Sequence, residues 1–314
     1  MDLVLFRRLT LIVIVSALLT MVLGPLVRAA EAGLACPDWP LCKGEIIPDV
    51  SDYQVFLEWF HRLVGGVTAL ALLAWVYLLA RRRELRERFL FWGLLAIALM
   101  ITQILLGALT ITEQLDAYVV KSHLLNALLF LSVLVYIHRK IGRILHDTPR
   151  VVAAPDRISQ AAAGVFLVAL FLQLFLGGRV STNHAGLVCP AFPACYHEQE
   201  ILADGTQQSR AVYFPPMIGN IEKHITHRLM AYALTFGAIG LVLLGGRRNW
   251  LEPGRRLSYM IFSAIVVQII VGVINVLYRV PIGVTVLHSA VAYFIYLSSF
   301  ILWLELTFDR QRAN

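Results

Sequence analysis

The chain has 314 residues, 59% of them hydrophobic and 15% charged, with a formal net charge of +7. That charge content is well below the roughly 25% of an average soluble domain. The apolar residues come in blocks without amphipathic periodicity, which points to an integral helical membrane protein. The basic excess is divided among short loops between these blocks, so it argues for membrane topology and against a nucleic-acid surface.

In chain order, apolar segments lie near 9–27, 58–80, 90–111, 119–138, 158–178, 223–245, 257–278 and 283–305. Each is close to the ~20 residues that a bilayer core requires. The first is long enough to span and is followed by no clear small-residue cleavage site, so it reads as a helix and not as a cleaved signal. An Arg- and Ser-rich presequence is also missing, which favours a bacterial plasma membrane over an organelle. Arg7 and Arg8 precede the first segment, and Arg81, Arg82, Arg83, Arg86 and Arg88 follow the second. Arg139, Lys140, Arg143, Arg150 and Arg157 follow the fourth, Arg247, Arg248, Arg255 and Arg256 the sixth, and Arg310 and Arg312 end the chain. These loops fall on one side, which the positive-inside rule makes cytoplasmic. Both termini are then inside.

The sequence repeats itself. GPLVRAAEAGLACPDWPLC from Gly24 to Cys42 is matched by GGRVSTNHAGLVCPAFPAC from Gly177 to Cys195. Gln103-x-x-x-Gly107 with His123 returns as Gln268-x-x-x-Gly272 with His288, and His61-Arg62 returns as His227-Arg228. Ordered matches of this kind mark an internal duplication. The expected fold is all-α: eight transmembrane helices as two tandem four-helix bundles in the same orientation, related by a pseudo-twofold about the membrane normal. Residues 1–145 form the first half, 146–157 a cytoplasmic linker containing Pro149 and Pro155, and 158–314 the second half.

Ionisable side chains within the bilayer are costly and usually serve a purpose. On this topology His61, His123, His227 and His288 all lie in the first turns of helices that run inward, two in each half and within about 10 Å of their helix starts. A single such histidine is more often an interfacial side chain bonded to a carbonyl. Four at matched depth, paired by the repeat, suggest two haem irons, each held by two imidazoles from facing helices. Zinc would ask for further ligands, and only Glu58 and His224 stand near. Arg62 and Arg228, each beside a histidine, are candidates for haem propionates, with snorkelling to lipid phosphate an even alternative.

The halves differ at one position. Glu58 stands three residues before His61, where the second half has His224 before His227. Residues three apart share a helix face, so Glu58 is placed to move protons or steady charge at one site only. An interfacial acid or helix-dipole partner is the plainer reading. Cys36/Cys42 and Cys189/Cys195 form two Cys-x5-Cys pairs in outer loops, where disulfides are the default and a redox-active thiol pair the alternative. Gln103, Gln173 and Gln268, each four before a glycine, read as packing between helices.

Taken together these features resemble the haem A synthase family over nearly the whole chain. The resemblance implies oxidation of the C8 methyl of haem O to a formyl group through successive hydroxylations, giving haem A for haem-copper oxidases. By position it implies that His61 and His123 hold the substrate haem, that Glu58 acts in the oxidation, and that His227 and His288 ligate a resident haem b. It also implies a farnesyl-adding haem O synthase and oxidase assembly components as candidate partners, with a homo-oligomer and the electron acceptor left open. A dihaem electron-transfer cytochrome, a haem carrier without catalysis and a structural membrane protein are the competing readings.

Overall fold

The computed structural model describes residues 3–145, 157–189, 192, 195, 199–201, 207–209 and 218–308. Of the expected features, Pro149, Pro155, Pro190, Pro193, Arg150, Arg310, Arg312 and linker residues 146–156 lie outside the described residues. The chain divides into two units, the first holding helices α1–α4 and the second α5–α8.

In the first unit α1 spans Leu3–Ala29, α2 Tyr53–Arg81, α3 Arg83–Thr112 and α4 Ala117–Leu145. In the second, α5 spans Arg157–Thr182, α6 Ile218–Arg247, α7 Glu252–Leu277 and α8 Ile282–Phe308. All eight are long and apolar enough to cross a membrane, and the protein is a multi-pass membrane protein. The helices run further than the apolar blocks because polar ends continue them. Asp52 caps α2 by accepting from the Gln54 and Val55 amides, so that helix starts at Tyr53. His61 therefore lies eight residues, about 12 Å, into its helix, and His227 nine residues, about 13 Å, deeper than expected. His123 and His288 lie six residues, about 9 Å, in.

A second departure is a short antiparallel pair, β1 Gln199–Ile201 with β2 Gln207–Ser209, in register Gln199 opposite Ser209. It lies between α5 and α6, outside the apolar blocks. The intervening Asp204-Gly205 is a hairpin-turn signal that the sequence already carried.

Within each unit the helices close into a ring. In the first, α1 packs on α2 and α4, and α3 packs on α2 and α4. In the second, α5 packs on α6 and α8, and α7 packs on α6 and α8. The histidine-bearing helices of each unit are thus diagonal partners facing each other across the bundle centre.

The tight core of the first unit sits at the end away from its histidines. There Phe6 stacks on Trp75 with ring centroids 5.0 Å apart, and Trp75 Nε1 donates to Thr10 Oγ1 at 3.0 Å. Leu79, Phe89, Leu131 and Leu134 are fully buried as well. In the second unit Trp250 Nε1 donates to Ser159 Oγ at 2.9 Å, beside a core that includes Ile261 and Leu302. Toward the histidines several stretches hold no fully buried side chain. None of residues 59–67 of α2, 101–110 of α3, 225–233 of α6 or 282–292 of α8 is buried by protein. A bundle packed to native density would bury a residue every three or four positions along each such stretch.

Candidate functional site

Each histidine has a seat. The ring of each lies against a glycine on the preceding helix: His61 on Gly24, His123 on Gly107, His227 on Gly177 and His288 on Gly272. A Cβ at those glycines would stand 3.8, 3.3, 3.1 and 3.0 Å from the facing imidazole Cε1. Glycine in a helix interior is destabilising by roughly 0.5–1 kcal/mol relative to alanine. Here it makes room for an aromatic ring between two helices. Each of the four imidazoles also keeps a buried Nδ1 with no hydrogen-bond partner. Buried polar atoms are nearly always satisfied; the Thr20 and Gln103 backbone carbonyls stand beside the His61 and His123 rings, so it is the nitrogens of His227 and His288 that call for another partner. Among the described residues no group of three or more His, Cys, Asp or Glu side chains comes together to hold a metal ion. The arrangement fits a flat group that accepts one ligand from each side.

In the first unit the loop between α1 and α2 is built onto α2 next to His61. Cys36 and Cys42 form a disulfide that packs with Val55 and Trp59 of α2. Asp38 accepts from the Lys43 amide at 2.5 Å and from the Gly44 amide at 2.8 Å, closing the loop on itself. The Gly44 amide, foremost, holds the Asp38 carboxyl below the usual carboxylate range; the Lys43 amide and the nearby Arg62 charge act in the same direction. Trp59 Nε1 donates to the Ile46 carbonyl at 2.9 Å.

Glu58 is buried beneath this loop, 3% exposed. Its Oε2 accepts from the Cys36 amide at 2.8 Å, and its Oε1 pairs with Arg62 Nη2 at 2.5 Å. Arg62 also donates to the carbonyls of Cys36 at 2.8 Å, Asp38 at 2.7 Å and Leu41 at 2.5 Å. A guanidinium has five N–H donors. Four are directed to Glu58 and the loop, so at most one is left for the propionate contact expected of Arg62. The disulfide loop, Arg62 and Glu58 are one connected network, and Glu58 is its only carboxylate on the face of α2 that also carries His61.

The second unit repeats the frame without the acid. Cys189 and Cys195 are disulfide-bonded, and Arg228 Nη2 donates to the Cys189 carbonyl at 2.8 Å, as Arg62 does to Cys36. His224, buried where Glu58 would be, places Nδ1 2.8 Å from the Ala185 carbonyl. A carbonyl only accepts, so this nitrogen carries the proton. His224 thus pins the 3-10 turn Ala185–Leu187 that leads into the cysteine loop.

The sequence reading named the histidines, Glu58, the arginines and both cysteine pairs; the structure joins Glu58 and Arg62 to the Cys36–Cys42 loop and Arg228 to the Cys189 carbonyl, and seats each of the four histidines on a glycine. It missed the glycine seats, although the four glycines were already visible as repeat matches. It also missed the Glu58–Arg62 pair, for which the i,i+4 spacing was a signal.

The sequence model of the cytochrome oxidase assembly protein family matches residues 7–300. The heme A synthase of Shewanella oneidensis is 29% identical, over 93% of this chain and 95% of its own length. The heme A synthases of Lysinibacillus sphaericus and Bacillus pumilus are each 26% identical, over 88% and 90% of this chain and 86% and 89% of their own lengths. With a match that begins in α1 and ends in α8, the chain belongs to the cytochrome oxidase assembly protein family.

Proposed function

We propose that this protein is a haem A synthase, oxidising the C8 methyl of haem O to a formyl group by successive hydroxylations, the second of which gives a geminal diol that loses water. The observation that carries the reading is an asymmetric pair of sites. Both units present two diagonal histidines seated on glycines, and among the described residues only the first places a buried carboxylate, Glu58, three residues before one of those histidines. Relatives similar along almost their entire length bear the name heme A synthase, which supports the same activity.

In this reading His61 and His123 hold the substrate haem and His227 and His288 a resident haem b. The resident group, when bound, supplies one-electron redox chemistry. The chain's own residues do the rest. The Cys36 amide and Arg62 fix the Glu58 carboxylate on the His61 face of α2, where it takes up a proton released as the methyl carbon is oxidised. Arg228, and Arg62 through its remaining donor, neighbour the propionates. The disulfide loops lie on the outer face of a bacterial plasma membrane, an oxidising side, and both termini are cytoplasmic. Haem O arrives from a farnesyl-adding synthase, and haem A passes to oxidase assembly.

The test is pigment analysis of protein purified from cells making haem O, comparing the natural chain with Glu58→Gln. The natural chain is expected to carry haem b together with haem O, its alcohol or haem A. Glu58→Gln is expected to keep its haems and lose the formyl product. Haem b alone at about two per chain, unchanged when haem O is supplied, would establish an electron-transfer cytochrome instead. Unchanged turnover in Glu58→Gln would remove that residue from the reaction.

A further inference from the structure

Residues Thr20, Gln103, Gln173 and Gln268 each stand one helical turn before a glycine seat, and the two units use them differently. In the second unit Gln173 Nε2 of α5 donates to the His227 backbone carbonyl at 3.0 Å. Gln268 Nε2 of α7 donates to the His288 carbonyl at 3.0 Å and lies 3.2 Å from that residue's ring Nε2. A helical carbonyl keeps a second lone pair beyond its own helix bond. Each amide therefore ties a histidine-bearing residue to the neighbouring helix.

The first unit lacks both ties. Thr20 replaces Gln173's counterpart, and its hydroxyl is engaged locally, donating to the Ser16 carbonyl at 3.0 Å and meeting Thr68 Oγ1 at 3.2 Å. Gln103 is present, but Asn126 Nδ2 donates to Gln103 Oε1 at 2.7 Å and to the Leu99 carbonyl at 2.9 Å. Where Asn126 stands, the second half has Val291, whose side chain has no donor to draw the Gln268 side chain away by its oxygen.

We propose that Gln173 and Gln268 are positioning residues that keep the second histidine pair closed on a permanently held haem. The first pair, with Thr20 and the Asn126–Gln103 bond, is left free to open, so that a porphyrin can enter and leave. This rests on the reading of the two histidine pairs as haem sites. It explains how two sites built from one repeat divide into a resident and an exchanging one.

The experiment loads the purified full-length protein with haem b and follows haem transfer to excess apomyoglobin by visible absorbance. Two phases are expected, the fast one lost in His61→Ala. Gln173→Thr, which copies the first unit's own residue, and Gln268→Met should each accelerate the slow phase roughly fivefold, the factor that one net hydrogen bond supports. Gln268→Met should also shift the ferric low-spin resonance signal, because its amide reaches the His288 ring. Copying the second unit into the first, with Thr20→Gln and Asn126→Val, should slow the fast phase and offers an independent arm if the glutamine variants misfold. A slow phase unchanged in both glutamine variants at full haem content overturns the proposal, as does single-phase release from the natural chain. Failure of the haem reading itself looks different: the protein takes up no haem, or His227→Ala and His288→Ala leave its pigment unaltered.

Discussion

At the scale of residues, the four glycine seats make a graded prediction. Alanine at Gly272 or Gly177 would put a Cβ 3.0 or 3.1 Å from an imidazole carbon held between two helices. Overpacking of that kind typically costs about 1–3 kcal/mol. Alanine at Gly24 meets its ring at 3.8 Å, an ordinary contact. Gly272→Ala and Gly177→Ala should lower haem content, whereas Gly24→Ala should leave it intact. Haem per chain, read by absorbance of the purified variants, decides it, and an equal loss in all three would remove the seats from the argument.

At the scale of elements, the 36–45 loop behaves as a clip on the N-terminal end of α2. Its inner face is a disulfide on Val55 and Trp59, and its carbonyls are gathered by Arg62. Its own closure depends on Asp38. Because the Gly44 amide, and secondarily the Lys43 amide, hold that carboxyl below its ordinary range, the closure is fully present above the ordinary aspartate value of about 3.9. It is lost only as pH falls through the lower, folded value. Protection of the Lys43 and Gly44 amides, relative to their intrinsic exchange rates, should therefore hold from neutral pH down to about 4 and fall below it, while Asp38→Ala should show little protection at any pH. Protection that fades well above pH 4 would show that the bonds to Asp38 do not close the loop.

At the scale of the whole molecule, each unit contains its own histidine pair on its own diagonal helices, so the pairs should be separable. His61→Ala with His123→Ala should abolish the first unit's haem and leave one low-spin haem at the second. His227→Ala with His288→Ala should do the reverse. Loss of all pigment in either double variant would mean that the two sites depend on each other for folding, against the additivity expected of sites without shared partners.

The sequence by itself determined the membrane class, the eight helices and the duplication, and it singled out the histidines and Glu58 as candidates for chemistry. Apolar blocks of bilayer length and a repeated set of histidines leave few other ways for this chain to satisfy its backbone and bury its side chains. It also determined that the halves differ at Glu58 and His224. Only the tertiary structure decided what those residues touch. Hydropathy registers how apolar a segment is, and not which partner lies across a helix contact. Gly24 and Gly272 therefore read as repeat matches until a ring was found against each, and Gln173 and Gln268 as packing until their amides were found on histidine carbonyls. Arg62 was read from its neighbour in sequence, His61. In the folded chain its donors turn to Glu58 and to a loop more than twenty residues away, because a buried guanidinium goes where carbonyl and carboxylate oxygens converge.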